Sequence, residues 1–67
     1  MPEYRRMQRD EAALRRHMEQ IEAGNLRIMA EKAEKENFYG TMQAFLFLAT
    51  DAEKRSDEYD KIAKGQS

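Results

Sequence analysis

At 67 residues the chain has room for one domain, and a core of that size supplies only about 3–5 kcal/mol, so chains this short are usually held by disulfides, a metal, very regular helix packing or association. There is no cysteine and a single histidine, His17, which excludes a disulfide framework and an ordinary His/Cys zinc site. Twelve Lys and Arg against thirteen Asp and Glu nearly cancel, so bulk charge points to neither nucleic acid nor an anionic membrane.

The chain opens on Pro2, at a position where a helix start tolerates the missing N–H, and helix formers follow without a further proline. This predicts a first helix over 3–36. Met7, Leu14, Met18, Ile21 and Ile28 recur on it at spacings of three, four and seven, within a stripe roughly 80° wide at 100° per residue. A stripe that narrow is closer to a coiled-coil seam than to the face of a large core. Asn25 falls on the same seam, where a buried amide can fix register and oligomer state. Gly24-Asn25 is also the one place where this helix could end, with Gly24 left-handed. A continuous or kinked helix is favoured, since mid-helix Gly costs about 1 kcal/mol and no capping box restarts the chain.

Asn37, Phe38, Tyr39, Gly40 and Thr41 form the interruption, with turn chemistry at Asn37 and Gly40 and with Phe38 expected to pack at the turn. A second helix is predicted over 41–64, stopped by Gly65. Met42, Phe45, Ala49, Ala52, Ser56, Tyr59 and Ala63 share the face expected to meet the first helix. Phe47 points about 180° from that face and Leu46 and Leu48 lie on its flanks, so the run from Ala44 to Ala49 is apolar nearly all round. One partner helix cannot cover it. The fold expected is therefore all-α: an antiparallel helical hairpin forming a single domain over 1–67 and assembling into a four-helix bundle or larger homo-oligomer. The expected protein interface is Leu46, Phe47 and Leu48 with Met18 and Asn25, and its occupant is a second copy or a different protein anchored on Phe47.

Arg5, Arg9, Arg16 and Arg27 fall within about 40° of one another, opposite the Met/Leu/Ile seam, with Ala12 and Ala23 between them. A basic stripe on the outer face of a hairpin dimer would follow a phosphate backbone, so nucleic-acid or nucleotide binding is the alternative reading. Glu34 on the stripe and Glu19 beside it weaken it.

Other chemistries leave no constellation here. His17 has no carboxylate or second histidine that completes a di-iron set, Ser56 has no base beside it in sequence, and Asp57, Glu58 and Asp60 lack the loop of a calcium site. No phosphate-loop or dinucleotide fingerprint occurs, so no cofactor, no metal and no enzymatic activity is expected. The run from Ala44 to Ala49 is far below the roughly 20 residues a membrane span needs. No signal-peptide pattern opens the chain either, and a cytoplasmic location without membrane contact is expected.

Three short resemblances accompany this reading. Phe38-Tyr39-Gly40 resembles the Trp-x-Gly turn of the small helical-hairpin substrates of type VII secretion, although this chain is shorter, has Phe for Trp and lacks their Tyr-x-x-x-Asp/Glu tail. Ser56-Asp57-Glu58-Tyr59-Asp60 is similar to the Ser-x-x-Leu-Asp signature of the aspartyl-phosphate phosphatases of sporulation, with Tyr59 in place of Leu and the motif late in its helix. The overall plan resembles the plasmid-encoded hairpin dimer that binds paired RNA loops, in architecture alone. The matches are too short to assign the chain to any of these families. The function expected is that of a non-enzymatic interaction protein, an adaptor, co-chaperone or inhibitor of the kind found among small bacterial or phage regulators.

Overall fold

The computed structural model describes residues 8–65, and Arg5, Met7 and the start predicted for the first helix lie outside them. Two helices account for nearly all of that span: α1, Arg9–Lys35, of 27 residues, and α2, Tyr39–Ala63, of 25 residues. They pack against each other as a helical hairpin. The particle measures 43 × 18 × 14 Å. Its thinnest dimension is close to the diameter of one helix with its side chains, about 10–12 Å, so among the described residues the hairpin is a single layer with no third element over either broad face.

Helix α1 is continuous through Gly24 and Asn25. Asp10 and Glu11 lie in its first turn and Lys32 and Lys35 in its last, each charge opposing the helix dipole at its end. Neither helix has a side-chain N-cap hydrogen bond, so the helices depend on packing more than on local capping.

The turn is shorter than expected, because α2 begins at Tyr39 and Gly40 is already helical. Asn37 takes the left-handed conformation with φ 65°. The amide of Phe38 donates to the Ala33 carbonyl at 2.8 Å and that of Asn37 to the Glu34 carbonyl at 3.0 Å, the paired bonds of a Schellman ending in which Asn replaces the usual Gly. Gly65 at the end of α2 is also left-handed, with φ 77°, and its amide donates to the Ile62 carbonyl. Phe38 does not pack at the turn. It is exposed, while the Tyr39 hydroxyl donates to the Asn37 side-chain oxygen at 3.0 Å.

The core lies along the contact between the helices and is made of small side chains. Ala12, Ala23, Ala30 and Ala33 of α1 meet Ala49, Ala52, Ser56 and Tyr59 of α2, and among the described residues no large side chain is fully buried. The face of α2 matches the one read from sequence, with Met42, Phe45 and Ala63 half-buried at its margins. On α1 the orientation corrects the expectation for the arginine stripe. The face expected to lie outermost, carrying Ala12 and Ala23, is the face turned to α2. Small residues on both helices let the backbones approach along the whole contact, whereas Leu14, Ile21 and Ile28 set against Ala49 and Ala52 would hold them apart.

Candidate interaction site

With alanines in the contact, the charged residues flanking them are brought into register across it. Arg16 Nη1 lies 3.0 Å from Asp60 Oδ1, Arg27 pairs with Glu53, and Arg55 pairs with Glu19 and stands 3.6 Å from Glu22. As the α1 position advances from 16 to 27, its α2 partner retreats from 60 to 53, which is antiparallel register written in charge. Lys64 adds a second cation to Asp60 at 2.9 Å. Hydrogen bonds from Lys64 and then Arg16 hold the Asp60 carboxyl below the usual range. Partial burial pushes the Glu19 carboxyl up, but hydrogen bonds with Arg55 and Glu22 and the Arg55 charge outweigh it and leave Glu19 lowered. Glu22 moves the opposite way, raised first by its hydrogen bond with Glu19 and then by the Glu19 charge.

Two of the four arginines of the sequence stripe, Arg16 and Arg27, are thus engaged with acidic groups of α2. Arg9 places its guanidinium beside Gly65 at the end of α2, where a cation opposes the dipole of that helix. Arg5 lies outside the described residues. Ser56, half of the phosphatase-like motif, is buried and donates its hydroxyl to the Arg16 carbonyl at 3.4 Å. With Asp60 it holds the helices together.

The large apolar side chains lie elsewhere. Leu14, Met18, Ile21 and Ile28 are exposed on α1, and Asn25 is exposed among them. At 100° per residue this stripe points roughly 150° away from the alanine face. On α2, Leu46 and Leu48 are exposed and Phe47 is the most exposed large apolar residue described, at 70%. All five residues of the expected protein interface are therefore accessible, and they fall into two patches on opposite sides of the hairpin. Sequence reasoning missed Met29 and Tyr39, which are also exposed. It missed as well the acidic partners Glu19, Glu53 and Asp60. The signal for those partners was available in the antiparallel order of opposite charges on the two alanine-bearing faces.

An open groove of about 520 Å³ runs beside Leu14, Met18 and Tyr59, with Glu11, Arg15, Glu19 and Glu22 completing its lining. Arg15 donates to Tyr59 and to Glu11, and these bonds raise it above its ordinary value. Among the described residues no group of three His, Cys, Asp or Glu is placed to hold a metal ion, and no helix is long and apolar enough to cross a membrane.

No protein-family model, curated protein or solved structure matches the chain. What can be said of function comes from the two patches.

Proposed function

We propose that the chain is a non-enzymatic helical interaction protein that works as a homo-oligomer in the cytoplasm, acting on a protein partner as an adaptor, co-chaperone or inhibitor by bridging or occlusion. One observation carries the reading: the protomer buries alanine and leaves Leu14, Met18, Ile21, Ile28, Phe47 and Leu48 at least half exposed. Full burial of a Leu, Ile, Met or Phe side chain contributes about 1.5–3 kcal/mol, and a methyl group only about 0.8 kcal/mol. Most of the apolar stabilisation written into this sequence is therefore collected only when a further surface covers the hairpin. A lone layer of two helices is otherwise marginal at this size.

The arrangement also supports a division of labour. The stripe on α1 is long and regular and suits a helix of equal length. The Leu46-Phe47-Leu48 patch is short along α2 but wraps much of its circumference, with one protruding aromatic ring, the kind of anchor on which binding energy concentrates. The test is association itself. Sedimentation equilibrium at protein concentrations from about 1 to 100 µM is expected to give a dimer or larger species, with a Tm that rises with concentration as mass action requires. A stable monomer with concentration-independent melting overturns the reading.

A further inference from the structure

The exposed stripe of α1 has an internal order that the hairpin does not use. Leu14, Met18, Ile21, Asn25 and Ile28 follow one another at intervals of four, three, four and three residues, which is the a/d pattern of a coiled coil with Met18 and Asn25 at a and Leu14, Ile21 and Ile28 at d. The helix carrying them is unbroken from Arg9 to Lys35, and α2 covers the opposite side. We propose that the occupant of this stripe is the same stripe of a second copy, the two α1 helices forming a parallel, in-register coiled coil with the α2 helices on the outside. This assignment rests on the homo-oligomeric reading above and specifies which surface makes the oligomer.

Three features select the second copy and its direction. An a/d stripe is complementary to itself, because each knob enters a hole formed by the same residue types. In parallel register Asn25 lies opposite Asn25 of the partner subunit, and the two amides satisfy each other. In antiparallel register every a residue faces a d residue, so both Asn25 amides would be set against Leu or Ile and left without a partner. One flanking ion pair agrees with the parallel choice. Asp10 falls opposite the partner's Arg15, the pairing of each g position with the e position five residues on. By the same rule His17 falls opposite the partner's Glu22 as a hydrogen-bonding neighbour, and Glu31 opposite the partner's Glu36 is a like pair at the C-terminal end of the helix. Asp10, Arg15, His17 and Glu22 are all exposed in the hairpin. Arg15 already holds Glu11 within its own helix and Glu22 stands near Arg55, so these contacts add to pairs at the rim. Parallel register also sets Glu11 against Glu11 and Lys32 against Lys32 at the two ends. These two positions lie beyond Leu14 and Ile28, the outermost apolar layers of the stripe among the described residues, where long side chains can reach solvent, and repulsion between solvated like charges is weaker than the loss of two buried amide partners.

The chain has no cysteine, so single-cysteine variants report the register directly. Met18→Cys and Ile28→Cys are ten residues apart, or about 15 Å along the axis. Each is expected to form a disulfide with its own kind under mild oxidation, and a mixture of the two variants is expected to give no mixed cross-link. Alongside, Ile21→Glu is expected to weaken dimerisation roughly 100-fold, because the change enters a symmetric interface twice. Helicity of the protomer is expected to persist by circular dichroism, since Ile21 takes no part in the alanine contact. Mixed cross-links in place of self cross-links overturn the parallel register. An assembly whose mass is unchanged by Ile21→Glu overturns the α1 interface while leaving the homo-oligomeric reading intact. A protein that stays monomeric at the highest concentration overturns that reading and the inference with it.

Discussion

Arg16 and Asp60, 44 residues apart in the chain, meet across the hairpin at 3.0 Å, and the carbonyl of the same Arg16 accepts the buried Ser56 hydroxyl. Side chain and backbone of one residue are thus both tied to α2 at the end of the hairpin far from the turn. Arg27 and Glu53 repeat the ion pair nearer the turn. An alanine contact is nearly featureless along its length, and these charges are what fix the sliding position of one helix on the other.

The Arg16–Asp60 and Arg55–Glu19 pairs give the protein an acid limit. Asp60 and Glu19 both have carboxyls lowered in the folded state. A lowered folded pKa contributes stability that is complete above the ordinary carboxylate value of about 4 and is lost as pH falls through the folded value. At fixed protein concentration Tm is expected to fall below about pH 4, with Glu22, whose carboxyl is raised, gaining stability on protonation and offsetting part of the loss. Asp60→Asn is expected to lower Tm at pH 7 and to make the acid decline shallower. Thermal melts by circular dichroism across the series check both statements, and an Asp60→Asn profile parallel to the parent's would remove Asp60 from the account.

Close approach of the helices is tested at Ala52, which has no exposed surface. Ala52→Leu adds three carbons where α1 already lies in contact, and overpacking of this kind costs about 1–3 kcal/mol. Ala44→Leu, the same change at an exposed position of the same helix, is expected to stay within about 0.5 kcal/mol. Urea unfolding of the two variants measures the difference. Equal midpoints would mean that the helices are not held together by their small residues.

Much of this fold was legible in the sequence, and the part that was not has a physical cause. Two helices, a turn at Asn37, a stop at Gly65 and the inner face of α2 follow from propensity, left-handed turn residues and the periodicity of Ala49, Ala52, Ser56 and Tyr59. The orientation of α1 does not follow from hydrophobic periodicity, because its strongest apolar stripe is not the one that packs within the protomer. Ala12, Ala23, Ala30 and Ala33 form a second, weaker stripe whose value lies in shape and appears only against a partner equally poor in bulk. Hydrophobic patterning ranks faces by how much apolar surface they carry. A hairpin of this kind ranks them by how closely two backbones can approach, and leaves the richer stripe free.

Gly24 tests whether continuity of α1 is a matter of tolerance or of need. It is helical, and a methyl group added there would meet nothing within 4 Å in the protomer. Gly24→Ala is therefore expected to stabilise the helix by about 0.8–1.0 kcal/mol and to raise Tm. Destabilisation instead would show that the glycine is required for an approach made only in the assembly, since the protomer itself leaves the space open.

Phe47 separates the two surfaces. At 70% exposure it contributes little to the protomer, and it lies on the side of α2 away from α1, outside the α1 coiled coil. Phe47→Ala is accordingly expected to leave helicity and sedimenting mass unchanged while removing the aromatic anchor of the second patch. Loss of such an anchor typically weakens a protein complex by about 2 kcal/mol or more, some thirtyfold in Kd. Phe38→Ala is the matched control, an exposed phenylalanine at the hairpin tip with 59% of its surface free. Affinity capture from the native cell with the parent, Phe47→Ala and Phe38→Ala proteins, followed by titration of the recovered partner against each, gives the comparison. Equal affinity of the parent and Phe47→Ala would take the partner surface away from α2. A change of sedimenting mass in Phe47→Ala would move Phe47 into the self-association interface and make a bundle of four helices packed through both patches the better description of the assembly.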